Sequence, residues 1–243
     1  MQPIQTTFKR IEKKYVLTGE QMRALVERLE EHMYCDEYGL HGVSNIYFDT
    51  PDYALIRASV EKPVYKEKFR LRSYSTPGEE EIIFAELKKK YRGVVYKRRI
   101  VTDPQGIGEL LAGRMLPGEN EQIQREILWF LRASAPQPRV YIGYERFAMI
   151  GREDERLRVT FDTDIRWRQE RLRLDGGRDG MLVQPENPII MEIKIPDAAP
   201  LWLARLLSEM RIYPTSFSKY GACYQRHIAP RFTNTIEGDM LHA

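Results

Sequence analysis

Apolar residues recur along this chain mostly at every second position, in short β-branched and aromatic runs closed by turn residues. The pattern predicts strands at Phe8–Leu17, Val43–Asp49, Val64–Tyr74, Ile82–Lys90, Val94–Thr102, Arg139–Met149, Leu157–Arg166 and Ile189–Ile195. Helical spacing is confined to a few stretches. Thr18 followed by Gln21 has the capping-box form, and Met22, Leu25, Val26 and Leu29 make one apolar stripe behind it. Further helices are predicted at Gln105–Arg114, Asn120–Ala133, Pro200–Met210 and Ser216–Ile228, the last with Ser216 as its N-cap. Pro77-Gly78 and Arg92-Gly93 read as turns between strands. The polar, aperiodic residues 231–243 read as a loosely held tail after a domain over residues 1–230. Short connections make the strands mainly antiparallel, and the class α+β.

Alternation also sorts the charges, because residues two apart on a strand share a face. Lys66, Lys68, Arg70 and Arg72 lie opposite Phe69 and Leu71. Arg10, Glu12 and Lys14 lie opposite Ile11, Tyr15 and Leu17; Glu86 and Lys88 opposite Ala85 and Leu87; Lys97 and Arg99 opposite Tyr96 and Ile100. Arg156, Arg158, Thr160 and Asp162 oppose Leu157, Val159 and Phe161, while Glu192 and Lys194 oppose Met191, Ile193 and Ile195. A solvated sheet face is the ordinary reading of any one stripe. Taken together the stripes carry cation after cation with single glutamates among them, where a solvated sheet mixes signs across strands. Closing such a sheet into a barrel aims the stripes at a common axis, giving a positive channel that an extended polyanion would neutralise.

Composition changes this picture little. Of 243 residues 42% are hydrophobic and 30% charged, and 38 Lys and Arg against 35 Asp and Glu leave a net charge of +3. Cys35 and Cys223 stand far apart, with neither a disulfide framework nor a C-x-x-C site, which fits a reducing cytoplasm. No apolar run approaches the roughly 18 residues of a membrane span, and residues 1–10 lack a signal-peptide core. His32, His41, His227 and His242 have no ligand spacing, and no G-x-x-x-x-G-K-[ST] loop is present. Gly106-Ile-Gly108 lacks the third glycine of a dinucleotide fingerprint. Trp129, Phe130, Trp202 and Leu203 read as helix packing residues, and Cys223 as a buried thiol. The stripe faces carry too few aromatics to stack the bases of a single-stranded nucleic acid, so no nucleic-acid partner is expected.

Arg10-Ile-Glu12-Lys-Lys14-Tyr15 resembles the opening strand of the triphosphate tunnel metalloenzymes, the CYTH-like superfamily. More closely, the chain resembles the polyphosphate polymerase domain of the vacuolar transporter chaperone (VTC) family. The resemblance runs through Ile46-Tyr-Phe-Asp49, Phe69-Arg70-Leu-Arg72-Ser-Tyr74, Phe84-Ala-Glu86-Leu-Lys88 and Val95-Tyr-Lys97-Arg-Arg99. It continues in Tyr144-Glu-Arg146-Phe147, Leu157-Arg158-Val-Thr-Phe-Asp162, Met191-Glu192-Ile-Lys194 and Phe217-Ser218-Lys219-Tyr220, from about Phe8 to Tyr224. It implies an eight-stranded antiparallel β-barrel tunnel with bracing helices, adding the γ-phosphate of ATP to a growing inorganic polyphosphate. Lys14, Arg70, Arg72, Lys88, Lys97, Arg146, Arg158 and Lys194 then correspond to the catalytic cationic wall. Tyr144, Ser218 and Lys219 correspond to phosphate contacts, and Arg10, Lys68 and Arg99 join them on the same stripes. Glu192 corresponds to the carboxylate for Mn²⁺ or Mg²⁺, with Glu12 and Glu86 as further metal candidates or as salt-bridge partners of neighbouring cations.

These residue types suit phosphoryl transfer, which asks for positioning and charge neutralisation more than covalent help. Hydrolytic members of the superfamily open with E-x-E-x-K, and Arg10 stands where the first glutamate would be, which favours the polymerase branch. Two alternatives stay open at this stage: a phosphohydrolase of inorganic triphosphate or nucleoside triphosphates, and a polyphosphate-binding module without turnover. Eukaryotic relatives add a regulatory domain and transmembrane helices. Neither is seen in this sequence, so a catalytic domain alone is expected, with any membrane partner encoded separately.

Overall fold

The computed structural model describes residues 11–61, 63–74, 82–92, 94–195 and 198–232. They form two compact units. The first takes Val43–Gly143 and Trp167–Met181; the second takes the described residues up to Gly42, Tyr144–Arg166 and those from Leu182 onward.

In the first unit β3 (His41–Asp49), β4 (Tyr65–Ser73), β5 (Ile83–Tyr91) and β6 (Val94–Thr102) are joined by α2 (Ala54–Val60), α3 (Pro104–Leu111) and α4 (Glu121–Ser134). Antiparallel pairing sets Phe69 opposite Leu87 and Leu71 opposite Ala85, and these residues share a core with Ile100, Ile107, Ile127 and Phe130. Helices α3 and α4 begin at side-chain caps: Asp103 accepts from Gly106 N at 2.7 Å, and Asn120 from Ile123 N at 3.0 Å.

In the second unit β1 (Ile11–Leu17) pairs with β10 (Ile189–Ile195), and β10 with β8 (Arg158–Arg168). Helices α1 (Gly19–Leu29) and α5 (Leu201–Glu209) belong to the same unit, and its core gathers Tyr15, Leu17, Leu25, Leu29, Val159, Phe161, Met191, Ile193, Leu203 and Leu206. The capping box forms as predicted, Thr18 Oγ1 accepting from Gln21 N at 3.1 Å and Gln21 Oε1 from Thr18 N at 3.0 Å. A single long strand, β7 (Gln137–Gly151), gives its first residues to one unit and its last to the other.

Every predicted strand forms, though residues 8–10 of the first lie outside the described residues, as do Pro77-Gly78, Gly93 and the tail beyond Phe232. The closed eight-stranded barrel does not form. The pairings follow the open order β1-β10-β8-β7-β3-β4-β5-β6, and β2 (Met33–Cys35) and β9 (Met181–Leu182) bring the sheet to ten strands. No β1–β6 pair closes the path among the described residues. The two added strands are too short to show an alternating pattern. Helix α2 also escapes the sequence, because its cap is remote. The buried Asp49 carboxylate accepts from Thr50 N, Leu55 N and Ile56 N, while Tyr53, at the cap position, has φ 59° and caps nothing with its side chain.

The last predicted helix is shorter and divided. Ser218, not Ser216, is its N-cap; α6 (Lys219–Cys223) follows, and a π-helical turn continues it over Tyr224–Ile228. Trp129 is a second correction. It lies on the side of α4 away from Ile123, Ile127 and Phe130 and is 62% exposed, so it braces nothing. Trp202 instead stacks on His32 with ring centres 4.2 Å apart, while Phe130, Leu203 and Cys223 are buried as expected. No helix among the described residues is long and apolar enough to cross a membrane.

Candidate functional site: two cation clusters built on carboxylates

In the first unit the cationic stripes meet across β4, β5 and β6 in rows. Lys68 is opposite Lys88 and Lys88 opposite Lys97; one step along, Arg70 is opposite Glu86 and Glu86 opposite Arg99. The apolar partners Phe69, Leu87 and Ile100 are fully buried on the other face, which fixes the register and hence the rows. Glu86, 2% exposed, is the hub. Its Oε2 accepts from Arg70 Nε at 2.8 Å and Nη2 at 2.6 Å; its Oε1 accepts from Arg99 Nε at 3.0 Å and Nη2 at 2.7 Å, with Lys97 Nζ at 2.6 Å. Arg72 Nε stands 3.9 Å off.

Neighbours hold the arginines in turn. Arg70 donates to Tyr47 Oη at 3.0 Å, and Arg72 to Asn45 Oδ1 at 2.9 Å and Tyr74 Oη at 2.8 Å. The Arg99 guanidinium lies 4.6 Å from the centre of the Phe84 ring. Burial opposes ionisation of Glu86, but Arg70, Lys97, Arg72 and Arg99 outweigh it and hold the carboxyl well below its usual range. For Lys97, burial and the three arginines outweigh Glu86 and bring the ammonium down to about 7.

The second unit carries the other cluster. Lys14 on β1 is opposite Glu192 on β10, which is opposite Thr160 on β8; the adjacent row is Glu12, Lys194 and Arg158. Glu12 is exposed at the rim. Asp162, 0% exposed, accepts from Arg146 Nε at 2.6 Å and Nη2 at 2.8 Å and from Lys219 Nζ at 2.5 Å. Burial works against this carboxylate too, and Arg146 and Lys219 depress it all the same. Tyr144 lies beside both cations, its ring centre 4.4 Å from Lys219 Nζ and 5.4 Å from Arg146 Cζ. Ser218 Oγ accepts from Gly221 N at 3.1 Å, capping α6. Lys14 Nζ donates to Phe217 O at 3.2 Å, which ties β1 to the segment before α6. Arg158 donates to the buried Asp36 carboxylate at 2.5 Å.

Glu192 differs from the other carboxylates of these clusters. Among the described residues no side chain comes within hydrogen-bond or ion-pair distance of its carboxylate. Lys14, Lys194, Arg146 and Lys219 are nevertheless near enough to outweigh burial and hold it well below the usual range. No group of three or more His, Cys, Asp or Glu capable of holding a metal occurs among the described residues. The donor set therefore fits a hard divalent cation held by one carboxylate and by phosphate oxygens, not one caged by protein.

The structure brings Arg70, Arg72, Lys97 and Arg99 together on Glu86, with Lys68 and Lys88 in the adjacent row, and Lys14, Tyr144, Arg146, Arg158, Lys194, Ser218 and Lys219 into the second unit with Glu192. Arg10 lies outside the described residues. Sequence reasoning passed over Asn45, Tyr47, Tyr74, Asp36 and Asp162 as site residues. Asn45 and Tyr47 do alternate with Ile46 and Phe48, and Asp162 shares the Arg158 stripe, so a parity signal existed. Asp36 follows a three-residue strand and gave none.

The fold has solved relatives. A putative adenylate cyclase from Bacillus halodurans superimposes with a TM-score of 0.58 at 14% identity, covering 92% of this chain and 100% of its own. The putative adenylyl cyclase HpAC1 from Hippeastrum, described as revealing a dominant triphosphatase activity, gives 0.53 at 18% identity, covering 89% and 95%. No curated protein matches the chain significantly in sequence. The model of the VTC domain matches residues 9–228, nearly the whole chain, and the chain belongs to the VTC-domain family.

Proposed function

We propose that this protein transfers the γ-phosphoryl group of ATP to the end of an inorganic polyphosphate chain, with Mn²⁺ or Mg²⁺ held at Glu192. In that reaction a terminal phosphate oxygen of the chain forms a bond to Pγ, the Pγ–O bond to the β-phosphate breaks, and ADP leaves. A divalent cation held by the Glu192 carboxylate would supply neutralisation of phosphate charge. The arginines supply forked donors to phosphate oxygens, and the lysines supply compact charges. Ser218, Lys219 and Arg146 would contact phosphate oxygens, the two cations held in place by Asp162.

The observation that carries this reading is the division among the carboxylates. Glu86 and Asp162 are bound up by cations and depressed well below their usual range, which makes them poor general bases. A terminal phosphate is already an anionic nucleophile and asks for no base, whereas an attacking water does. Membership of the VTC-domain family supports the same substrate class.

Hydrolysis of a triphosphate is the second reading, favoured by the likeness to HpAC1. Incubation of the purified chain with ATP and Mn²⁺ decides between them. Long polyphosphate and ADP are expected. Orthophosphate as the sole phosphate product overturns the proposal in favour of hydrolysis, and tight binding without turnover leaves a binding module. The protein is further proposed to act in the cytoplasm, with no nucleic-acid partner and any membrane component supplied by a separate chain.

A further inference from the structure

We propose that Asp36 is a positioning residue for the proposed phosphoryl transfer: its buried carboxylate holds the Arg158 guanidinium in place at the cationic cluster of the second unit. The inference deepens the proposed function and rests on that reading, because Arg158 has a part in the reaction only if the cluster handles phosphate.

Asp36 is itself held at every polar atom. It follows β2, whose last residue, Cys35, is opposite Met149 on β7, and its own N–H donates to Ala148 O at 3.0 Å. Its carbonyl accepts from Gly39 N at 3.2 Å, and Gly39, at φ 54°, takes the left-handed conformation that lets the chain turn there. Its Oδ1 accepts from Tyr38 N at 3.2 Å, closing an Asx turn. That turn needs one oxygen only, which Asn or Ser would supply. The second oxygen, Oδ2, accepts from Arg158 Nη2 at 2.5 Å. The Asp36 side chain is 1% exposed, so the anion stays fixed under the turn while Tyr38 and Leu40 stand out in solvent.

The ion pair is not what holds the strand. β8 already pairs with β10 and lies next to β7 in the sheet. What Asp36 adds is orientation. Arg158 lies on the polar face, opposite Lys194, with its side chain 35% exposed. Its guanidinium is anchored at one nitrogen: Nη2 donates to Asp36, and the buried Nε meets no acceptor among the described residues. Arg146, gripped by Asp162 through both Nε and Nη2, is fastened at two. A single anchor leaves the outer N–H groups of Arg158 to a phosphate oxygen. It also orders a long, flexible side chain before the substrate arrives, which lowers the entropy lost in reaching the reactive arrangement.

The test is a double-mutant cycle on the full chain with ATP and Mn²⁺, read as the rate of ADP formation. Asp36→Asn keeps an oxygen for Tyr38 N and sets an amide nitrogen, a donor, against Arg158. It is expected to lower kcat/KM about tenfold or more, the size of one charge-assisted hydrogen bond. In an Arg158→Gln background the same substitution is expected to change kcat/KM by less than about twofold, because a residue that acts through Arg158 has nothing left to act on. Equal losses in the two backgrounds, or no loss in a folded Asp36→Asn variant, overturn the inference. Thermal melts show whether each variant folds, and Asp36→Ser, which also keeps one acceptor for the turn, replaces an unfolded Asp36→Asn. Orthophosphate as the only product beside ADP would remove the polymerase reading, and the cycle would still decide for Asp36. Should the chain or its Arg158→Gln variant bind ATP without measurable turnover, the cycle is read as ATP affinity by calorimetry, with the same expectations. A folded chain that binds no ATP overturns both readings.

Discussion

Lys219 Nζ donates to the Asp162 carboxylate at 2.5 Å while lying 4.4 Å from the centre of the Tyr144 ring. The same carboxylate takes both donors of an Arg146 fork, so one buried anion holds two buried cations. Burial lowers the ammonium and Asp162 more than restores it, so Lys219 is held charged. Asp162→Asn would take from both cations the buried carboxylate that accepts their hydrogen bonds. Breaking a buried pair from one side costs about 3–5 kcal/mol, and chemical denaturation should show a loss of that size. A loss under about 1 kcal/mol would mean that water, not Asp162, satisfies these cations.

Glu192→Gln addresses the metal. The substitution keeps size and removes the charge that a hard cation needs. Loss of a metal's several kcal/mol of charge stabilisation corresponds to about 10²–10³ in rate. Turnover of ATP at saturating Mn²⁺ should fall by that factor, and the melting temperature should fall as well, because the ionised carboxylate offsets the charge of Lys14, Lys194, Arg146 and Lys219. A variant that keeps its Mn²⁺-dependent turnover would place the metal elsewhere.

How far the site could be read from sequence depended on where each contact arises. Alternation put Arg70, Arg72, Lys97 and Arg99 on polar faces correctly, because period-two burial of Phe69, Leu71 and Ile100 is a local property of a strand. What alternation cannot give is which strands pair and at what offset. Glu86 becomes a hub only because register sets it between Arg70 and Arg99, 16 and 13 residues away in sequence. Asp162 meets Lys219 across 57 residues, and Asp36 meets Arg158 across 122, distances at which composition and spacing are silent. Barrel closure was also a tertiary matter. Stripes of like charge are compatible with an open strand order, so they supported a channel without establishing that β1 and β6 pair.

Acid should act on the carboxylates together. Glu86, Asp162 and Glu192 all titrate lower in the folded chain than at their ordinary values of 4.5, 3.8 and 4.5. The unfolded chain therefore binds more protons as pH falls through and below about 4.5, and their stabilisation is fully present only above that range. Melting temperature should hold between pH 7 and 5 as far as these groups decide it, then drop steeply below about pH 4. Asp162→Asn should flatten that drop, because one of the responsible protonations is already built in. An unchanged acid limb in that variant would assign the effect to other groups.

Lys97 predicts two pH dependences of opposite sign. Its ammonium titrates near 7 in the folded chain against an ordinary 10.5, facing Glu86, Arg99, Arg72 and Arg70. Between those values the unfolded chain holds the proton that the folded chain has released, so stability from this group rises with pH from about 7 to 10.5 and is flat below 7. Binding runs the other way. A polyanion favours the charged ammonium, so each event above pH 7 must take up a proton, and tripolyphosphate affinity should fall toward tenfold per pH unit there. Calorimetry in buffers of different ionisation enthalpy measures that uptake directly. Lys97→Arg, charged throughout, should bind without proton uptake, and its melting temperature should lose the alkaline rise. Equal proton uptake by wild type and Lys97→Arg at pH 8 would show that the titrating group is not Lys97.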